Sequence, residues 1–195
     1  FALANIPGLA YAMVTPLLLF WGLVIAEFGL VVAISGAINR LSITTATLLF
    51  ILYSVINGAT LSVIFLAYTL TSIANVFFIT AGTFGVMAFL GYTTKKDLTS
   101  LGRMMFIGLI GIIIATIVNL FLGSSMLNMI VSYVGVVIFV GLTAYDSQKI
   151  KHMLYEADSM DEGAQKLALL GSLTLYLDFI NLFLMLLRIF GGNKD

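Results

Sequence analysis

Two aspartates, Asp146 and Asp178, lie in the last two strongly apolar stretches of the sequence. Asp146 ends the run SYVGVVIFVGLTAYD, and Asp178 interrupts the run LTLYLDFINLFLMLLRIF. Because a charged side chain at the centre of a membrane span costs about 2.5 to 3.5 kcal/mol, such residues are usually paired or functional. Two carboxyl groups that approach one another share a proton and titrate as a pair, and their oxygens also suit Ca²⁺. We therefore predict a proton sensor and gate in which both aspartates are transient Ca²⁺ ligands.

Three further polar residues lie inside apolar stretches. Thr174 and Asn181 recur at helical spacing with Asp178, so all three should share one face of the last helix. We interpret Thr174 and Asn181 as supporting residues, and a hydrogen bond between helices is the plainer role of Asn181. Glu27 lies in the middle of WGLVIAEFGLVVAI, far from any basic residue. We expect Glu27 to have a function or to join a polar network.

Arg40 follows the same stretch as Glu27 and is the nearest candidate counter-charge for Asp146. An arginine–carboxylate bond there would act as a latch between two helices. Each residue also has a simpler interpretation. Arg40 could anchor a helix end at the membrane surface, and Asp146 could pair with a lysine of the loop that follows it.

The elements that must hold these residues are membrane spans. The chain is 61% hydrophobic and 9% charged, whereas soluble domains are about 25% charged. No charged residue occurs from Leu41 to Thr94 or from Met104 to Tyr145. Since a span needs about 20 apolar residues, we predict an all-α polytopic membrane protein that forms one transmembrane bundle domain over residues 1–195. The six predicted helices are 15–38, 43–66, 71–93, 103–122, 127–148 and 166–190, and we expect residues 1–12 to be the remnant of an earlier span.

Charge and composition narrow the function further. Basic residues follow the first, third and fifth predicted spans, so we expect those loops to be cytoplasmic. The absence of cysteine excludes disulfides and cysteine-based metal sites. A net charge of zero gives no case for nucleic-acid binding, and we expect no cofactor. Small residues at close-packing spacing indicate contacts within one bundle, which favours a monomer in the lipid bilayer.

Several segments resemble one known family. The segment LYLDFINLFLMLLRIFGG (175–192) is similar to the C-terminal signature of the Bax inhibitor-1 family, the transmembrane Bax inhibitor motif proteins. The segment AYDSQKIKHM (144–153) resembles the end of that family's penultimate span, and GYTTKKDLTSLG (91–102) resembles its basic mid-chain loop. The order of the spans and Glu27 also agree, so the likeness covers nearly the whole chain.

The resemblance implies a seven-helix bundle around a central last helix and a pH-sensitive Ca²⁺ leak. The aspartates that act as the sensor in this family match Asp146 and Asp178. An arginine at the cytoplasmic end of the second span latches the pair in some bacterial members, and Arg40 is the nearest match, in the sequence AINRLS. The compact chain favours a bacterial inner membrane, whereas eukaryotic relatives occupy internal membranes.

Other functions stay open at this stage. A proton-coupled cation antiporter would use the same carboxylates, and a regulator that binds other membrane proteins without transport would need none of them. An intramembrane aspartyl protease is the remote enzymatic alternative, because Tyr145 and Asp146 match half of its motif. The other half fails, since LYL rather than G-x-G precedes Asp178. We therefore expect a protein that is not an enzyme.

Overall fold

The computed structural model describes residues 17–156 and 161–192, and the regular elements in them are helices. Five of these segments are long and apolar enough to cross a membrane, and a shorter apolar segment, Trp21–Ala37, lies near the start of the described chain. The prediction of an all-α polytopic membrane protein is therefore confirmed. The helices are α1 (Leu17–Ala37), α2 (Ile43–Leu61), α3 (Ile64–Ala67), α4 (Leu70–Thr93), α5 (Thr99–Leu122), α6 (Ser125–Tyr155) and α7 (Glu162–Phe190).

Each predicted span has a helix, but several boundaries differ. The second span is interrupted at Ser62 and Val63, where amide groups bond to carbonyls three residues earlier, so α2 and the short α3 share it. The predicted end of α6 at residue 148 is wrong, because the helix continues to Tyr155 through a polar run. An apolar pattern marks where a helix enters the lipid, whereas the hydrogen-bond ladder continues into water. The predicted remnant, 1–12, lies outside the described residues.

The turn between α5 and α6 fixes how these two helices are joined. Gly123 adopts the left-handed conformation, with φ of 60°, which few residues other than glycine tolerate. The Asn119 side chain closes the turn by accepting from the Ser124 amide at 2.9 Å and donating to the Ser124 carbonyl at 3.1 Å. The Ser124 hydroxyl then accepts from the Leu127 amide and caps α6. The turn therefore leaves few unsatisfied backbone groups where the two helices meet.

Contacts divide the described chain into two compact units. Unit 1 contains the described residues of ranges 1–70, 159–170 and 192–195, and unit 2 contains those of 71–158 and 171–191. In unit 1, α1 packs against α2. In unit 2, α5 packs along α6. The single domain expected from the sequence stays a prediction.

Glycines let the ends of α4 and α5 approach α6 closely within unit 2. A Cβ atom on Gly91 of α4 would overlap the backbone of Ala144, and one on Gly102 of α5 would overlap the ring of Tyr145. A Cβ on Gly141 of α6 would lie 2.8 Å from Met105. Because membrane helices gain stability from such close packing, these glycines hold the α6 segment next to Asp146 against its neighbours.

Replacing Gly91 by alanine should therefore destabilise the protein. We expect Gly91→Ala to cost about 1 to 3 kcal/mol, as overpacking commonly does. The matched control is Gly82→Ala on the same helix, because nothing lies within 4 Å of the added methyl group. That control should be neutral, or stabilising by up to about 1 kcal/mol through helix propensity. Thermal unfolding in detergent, followed by circular dichroism, checks both variants, and equal unfolding temperatures would contradict this packing argument.

Candidate functional site

Asp146 and Asp178 lie on the two spans of the chain that hold the largest shares of buried residues, α6 and α7. Asp146 is 8% exposed and Asp178 is 5% exposed, and both belong to unit 2. The apolar residues Leu173 and Leu182, on the same helix as Asp178, are also fully enclosed. Both aspartates are therefore shielded from solvent.

The carboxyl groups of Asp146 and Asp178 lie close enough for a hydrogen bond between them. An ionised carboxylate only accepts hydrogen bonds, so this bond requires a proton on one of the two groups. The second oxygen of Asp178, Oδ2, is buried and has no hydrogen-bond partner among the described residues. Since a buried polar atom without a partner is costly, this oxygen is a position where a proton, a water molecule or a cation would be stabilised.

The basic residue Lys149 follows Asp146 by three positions on α6. Lys149 is exposed and lies above the ring of Tyr145, with its Nζ 6.0 Å from the ring centroid. Within 17–156 and 161–192, no cluster of three or more His, Cys, Asp or Glu side chains has the arrangement of a metal site.

The two predicted supporting residues on α7 differ in their contacts. Thr174 is half-buried one turn before Asp178 and has an interaction partner. The Asn181 amide donates to the Leu177 carbonyl at 2.8 Å, which is a bond within α7. The bond between helices that we considered for Asn181 is thus not the one found in the described structure, because the side chain reaches its own backbone first.

Arg40 lies in the turn after α1, where its side chain is exposed and its amide donates to the Ala37 carbonyl at 2.8 Å. Arg40 belongs to unit 1, whereas Asp146 belongs to unit 2. The proposed latch between these two residues therefore stays a prediction.

Glu27 joins a polar network, as one alternative from the sequence anticipated. It lies in the middle of α1, half-buried, and its carboxylate accepts from the Asn57 amide of α2 at 3.0 Å and from the Thr60 hydroxyl. Thr60 lies one turn after Asn57, so both donors reach Glu27 from one face of α2. The network fastens α1 to α2 within unit 1, because each donor crosses from one helix to the other.

One residue of the site escaped the sequence analysis. Gln148 is 7% exposed on α6, close to Asp146, and both ends of its amide bond to the loop between α4 and α5. It stands in a polar run beside Lys149, so nothing in the sequence pattern distinguishes it from solvated neighbours.

Nearly the whole sequence matches one protein family. The family whose sequence model is described as "Inhibitor of apoptosis-promoting Bax1" matches residues 2–195. The chain belongs to this family. The relationship that we inferred from the two Asp-bearing segments is therefore confirmed.

Bacterial relatives support the same assignment. The chain is 54% identical over 174 residues to "Inner membrane protein YbhL" of Escherichia coli K12, which covers 89% of the chain and 74% of that protein. It is 53% identical over 176 residues to an uncharacterized protein of Borreliella burgdorferi, covering 90% of the chain and 76% of the relative. An uncharacterized membrane protein of Streptococcus pyogenes serotype M6 is 42% identical over 176 residues, with the same two coverages. This Bax inhibitor family member is thus an integral membrane protein.

The Glu27 network generates a stability prediction. Thr60→Val removes the hydroxyl that bonds to Glu27 across the helix pair, and we expect it to destabilise the protein by about 0.5 to 2 kcal/mol. Thr47→Val is the matched control, because the Thr47 hydroxyl donates only to the Ile43 carbonyl of its own helix. Thermal unfolding in detergent compares the two. A control variant that loses as much stability as Thr60→Val would contradict the network.

Proposed function

We propose that this protein is a passive calcium leak channel whose opening is controlled by the protons on Asp146 and Asp178. The observation that carries the proposal is that two buried carboxyl groups, on α6 and α7, lie within hydrogen-bonding reach of one another. Membership of the Bax inhibitor family supports it. Ca²⁺ is the permeating ion in this proposal, because carboxylate oxygens are its preferred ligands.

Proton occupancy supplies the control. With one proton, the pair holds α6 and α7 together through the hydrogen bond. When both groups lose their protons they repel one another, and when both gain protons the site loses the negative charge that attracts a cation. A change in proton occupancy therefore alters both the contact between two helices and the charge presented to Ca²⁺. No catalytic step is part of this mechanism.

Calcium flux measured against pH tests the proposal. In liposomes loaded with a calcium indicator, the wild-type protein should show a flux that changes with pH. Asp146→Asn and Asp178→Asn should flatten that dependence, because an amide cannot gain or lose the proton. Glu156→Gln is the matched control, since Glu156 is exposed at the end of α6. Wild-type pH dependence in both aspartate variants would sink the proposal.

A proton gradient distinguishes a leak from an antiporter. With equal Ca²⁺ on both sides of the liposome membrane, a passive leak produces no net calcium movement when a pH difference is imposed. Calcium accumulation driven by that pH difference would identify coupled exchange instead. Absence of any calcium flux, in protein that is folded by circular dichroism, would favour the regulator that binds other membrane proteins.

We also propose a bacterial inner membrane location with the basic loops in the cytoplasm. The E. coli relative is named as an inner membrane protein, and Lys95 and Lys96 precede α5 on the side predicted to be cytoplasmic. Lys95 and Ser125 are exposed beyond opposite ends of α5. They are therefore suitable positions for reporters of the two membrane faces.

Cysteine labelling tests this orientation without background, because the chain has no cysteine. In intact bacterial cells treated to open the outer membrane, an impermeant maleimide should label Ser125→Cys. It should label Lys95→Cys only after the inner membrane is disrupted. The reverse pattern would show that the basic loops face outward.

A further inference from the structure

Gln148 of α6 makes two hydrogen bonds to the loop between α4 and α5, within unit 2. Its Oε1 accepts from the Leu98 amide at 2.9 Å, and its Nε2 donates to the Lys96 carbonyl at 2.8 Å. The side chain is 7% exposed, so solvent contributes little to satisfying it. One amide group therefore meets a donor and an acceptor of the same loop, and a rotation or shift of α6 would break both bonds together.

The start of α5 receives side-chain acceptors from two directions, since Asp97 of the loop accepts from the Thr99 amide at 2.8 Å and Gln148 of α6 accepts from the Leu98 amide. Leu98 occupies the N-cap position of α5 and makes no side-chain capping bond. Gln148 supplies an acceptor to the Leu98 amide from a different helix. A cap is usually provided by the chain's own Ser, Thr, Asp or Asn, so this arrangement ties the start of α5 to the position of α6.

Further contacts hold the same segment of α6. Gly91 and Gly102 admit the Ala144 backbone and the Tyr145 ring, and Lys151 Nζ donates to the Tyr92 carbonyl at 2.8 Å. These contacts lie on both sides of Asp146 along α6. The part of α6 that carries Asp146 is thus fixed to the loop and to the ends of α4 and α5.

We infer that Gln148 is a positioning residue, whose two bonds to the loop between α4 and α5 hold the segment of α6 that carries Asp146 in place. The inference rests on the proposed proton control of Asp146 and Asp178. It extends that proposal by naming Gln148 as the side chain that keeps Asp146 in place. Gln148 itself carries no proton that titrates and acts only through the geometry of Asp146.

The charged and titratable groups around this segment are few. Hydrogen bonds from the side chain and backbone of Thr99 hold the pKa of Asp97, in the loop, below its ordinary value, so Asp97 stays ionised across the neutral range. Asp178 on α7 and Lys149 on α6 act on Asp146 directly. The other charged and titratable residues on these elements are Tyr92 on α4, Lys95 and Lys96 in the loop, Arg103 on α5, Tyr133, Tyr145, Lys151, His152, Tyr155 and Glu156 on or after α6, and Glu162, Lys166, Tyr176 and Arg188 on α7.

The discriminating pair of variants is Gln148→Leu and Ser147→Ala. Leucine keeps the approximate size of glutamine and removes both bonds to the loop. Ser147 is equally buried beside Asp146, but its hydroxyl donates only to the Thr143 carbonyl within α6. We expect Gln148→Leu to move the midpoint of the pH-dependent calcium flux by about half a pH unit or more, because Asp146 is then less firmly placed. Ser147→Ala should leave the midpoint where it is.

A conservative variant guards against a change that merely impairs folding. Gln148→Glu keeps the acceptor for the Leu98 amide and loses the donor to the Lys96 carbonyl. At a pH where the new carboxyl is ionised, this variant should still protect the Leu98 amide partly from hydrogen exchange. Hydrogen exchange at the Leu98 amide, measured by mass spectrometry on the whole protein in detergent, should rise about tenfold in Gln148→Leu. It should rise less in Gln148→Glu and be unchanged in Ser147→Ala.

The two measurements separate this inference from the proposed function. If the wild-type flux does not depend on pH, the proposed function fails, whereas the exchange experiment still reports on whether Gln148 fixes the loop. A pH midpoint unchanged in Gln148→Leu, in protein whose wild type is pH-dependent, would overturn the positioning role. Exchange at Leu98 that is equal in Gln148→Leu and Ser147→Ala would overturn it as well.

Discussion

A hydrogen bond between two carboxyl groups exists only while a proton is present, and Asp146 of α6 and Asp178 of α7 bring two such groups together in a buried place. Two unit charges about 4 Å apart repel by about 4 kcal/mol at an effective dielectric constant of 20. A typical hydrogen bond contributes about 1 kcal/mol to stability. In a pair of acids at that separation, the repulsion that follows loss of the proton would therefore outweigh several ordinary contacts.

The protein satisfies its buried carboxyl groups in two different ways. In unit 1, Glu27 receives donors from Asn57 and Thr60, which are neutral groups that hold α1 to α2. In unit 2, Asp146 lies within hydrogen-bonding reach of another acid, and Oδ2 of Asp178 has no hydrogen-bond partner among the described residues. Neutral donors compensate the charge of a single carboxylate, whereas two acids in contact share a proton and titrate as a pair. The first arrangement suits structure and the second suits control.

Much of the architecture was predictable because lipid demands long apolar helices and makes each charge within them conspicuous. Asp146 and Asp178 stood out for that reason, and so did Glu27. The partners were harder to predict. Asn57 and Thr60 are uncharged, and Gln148 lies in a polar run where burial leaves no trace in composition.

Helix ends were also poorly predicted, since the last turns of α6 leave the apolar pattern and continue as a helix to Tyr155. The bond of Asn181 to its own backbone likewise depends on which acceptor lies nearest, and spacing does not determine that. Sequence thus indicates where charge enters the membrane better than it indicates what that charge touches.

The closed turn at Asn119 and Gly123 has a consequence for how the protein is made. It joins α5 and α6 through contacts that are local in the chain, so the two helices can associate as soon as both have left the ribosome. At that moment the segment carrying Asp178 is still inside the ribosome. Asp146 therefore enters the membrane without its acidic partner, close to the polar residues that end its own helix, and the hydrogen bond between the two acids forms only when the last helix arrives.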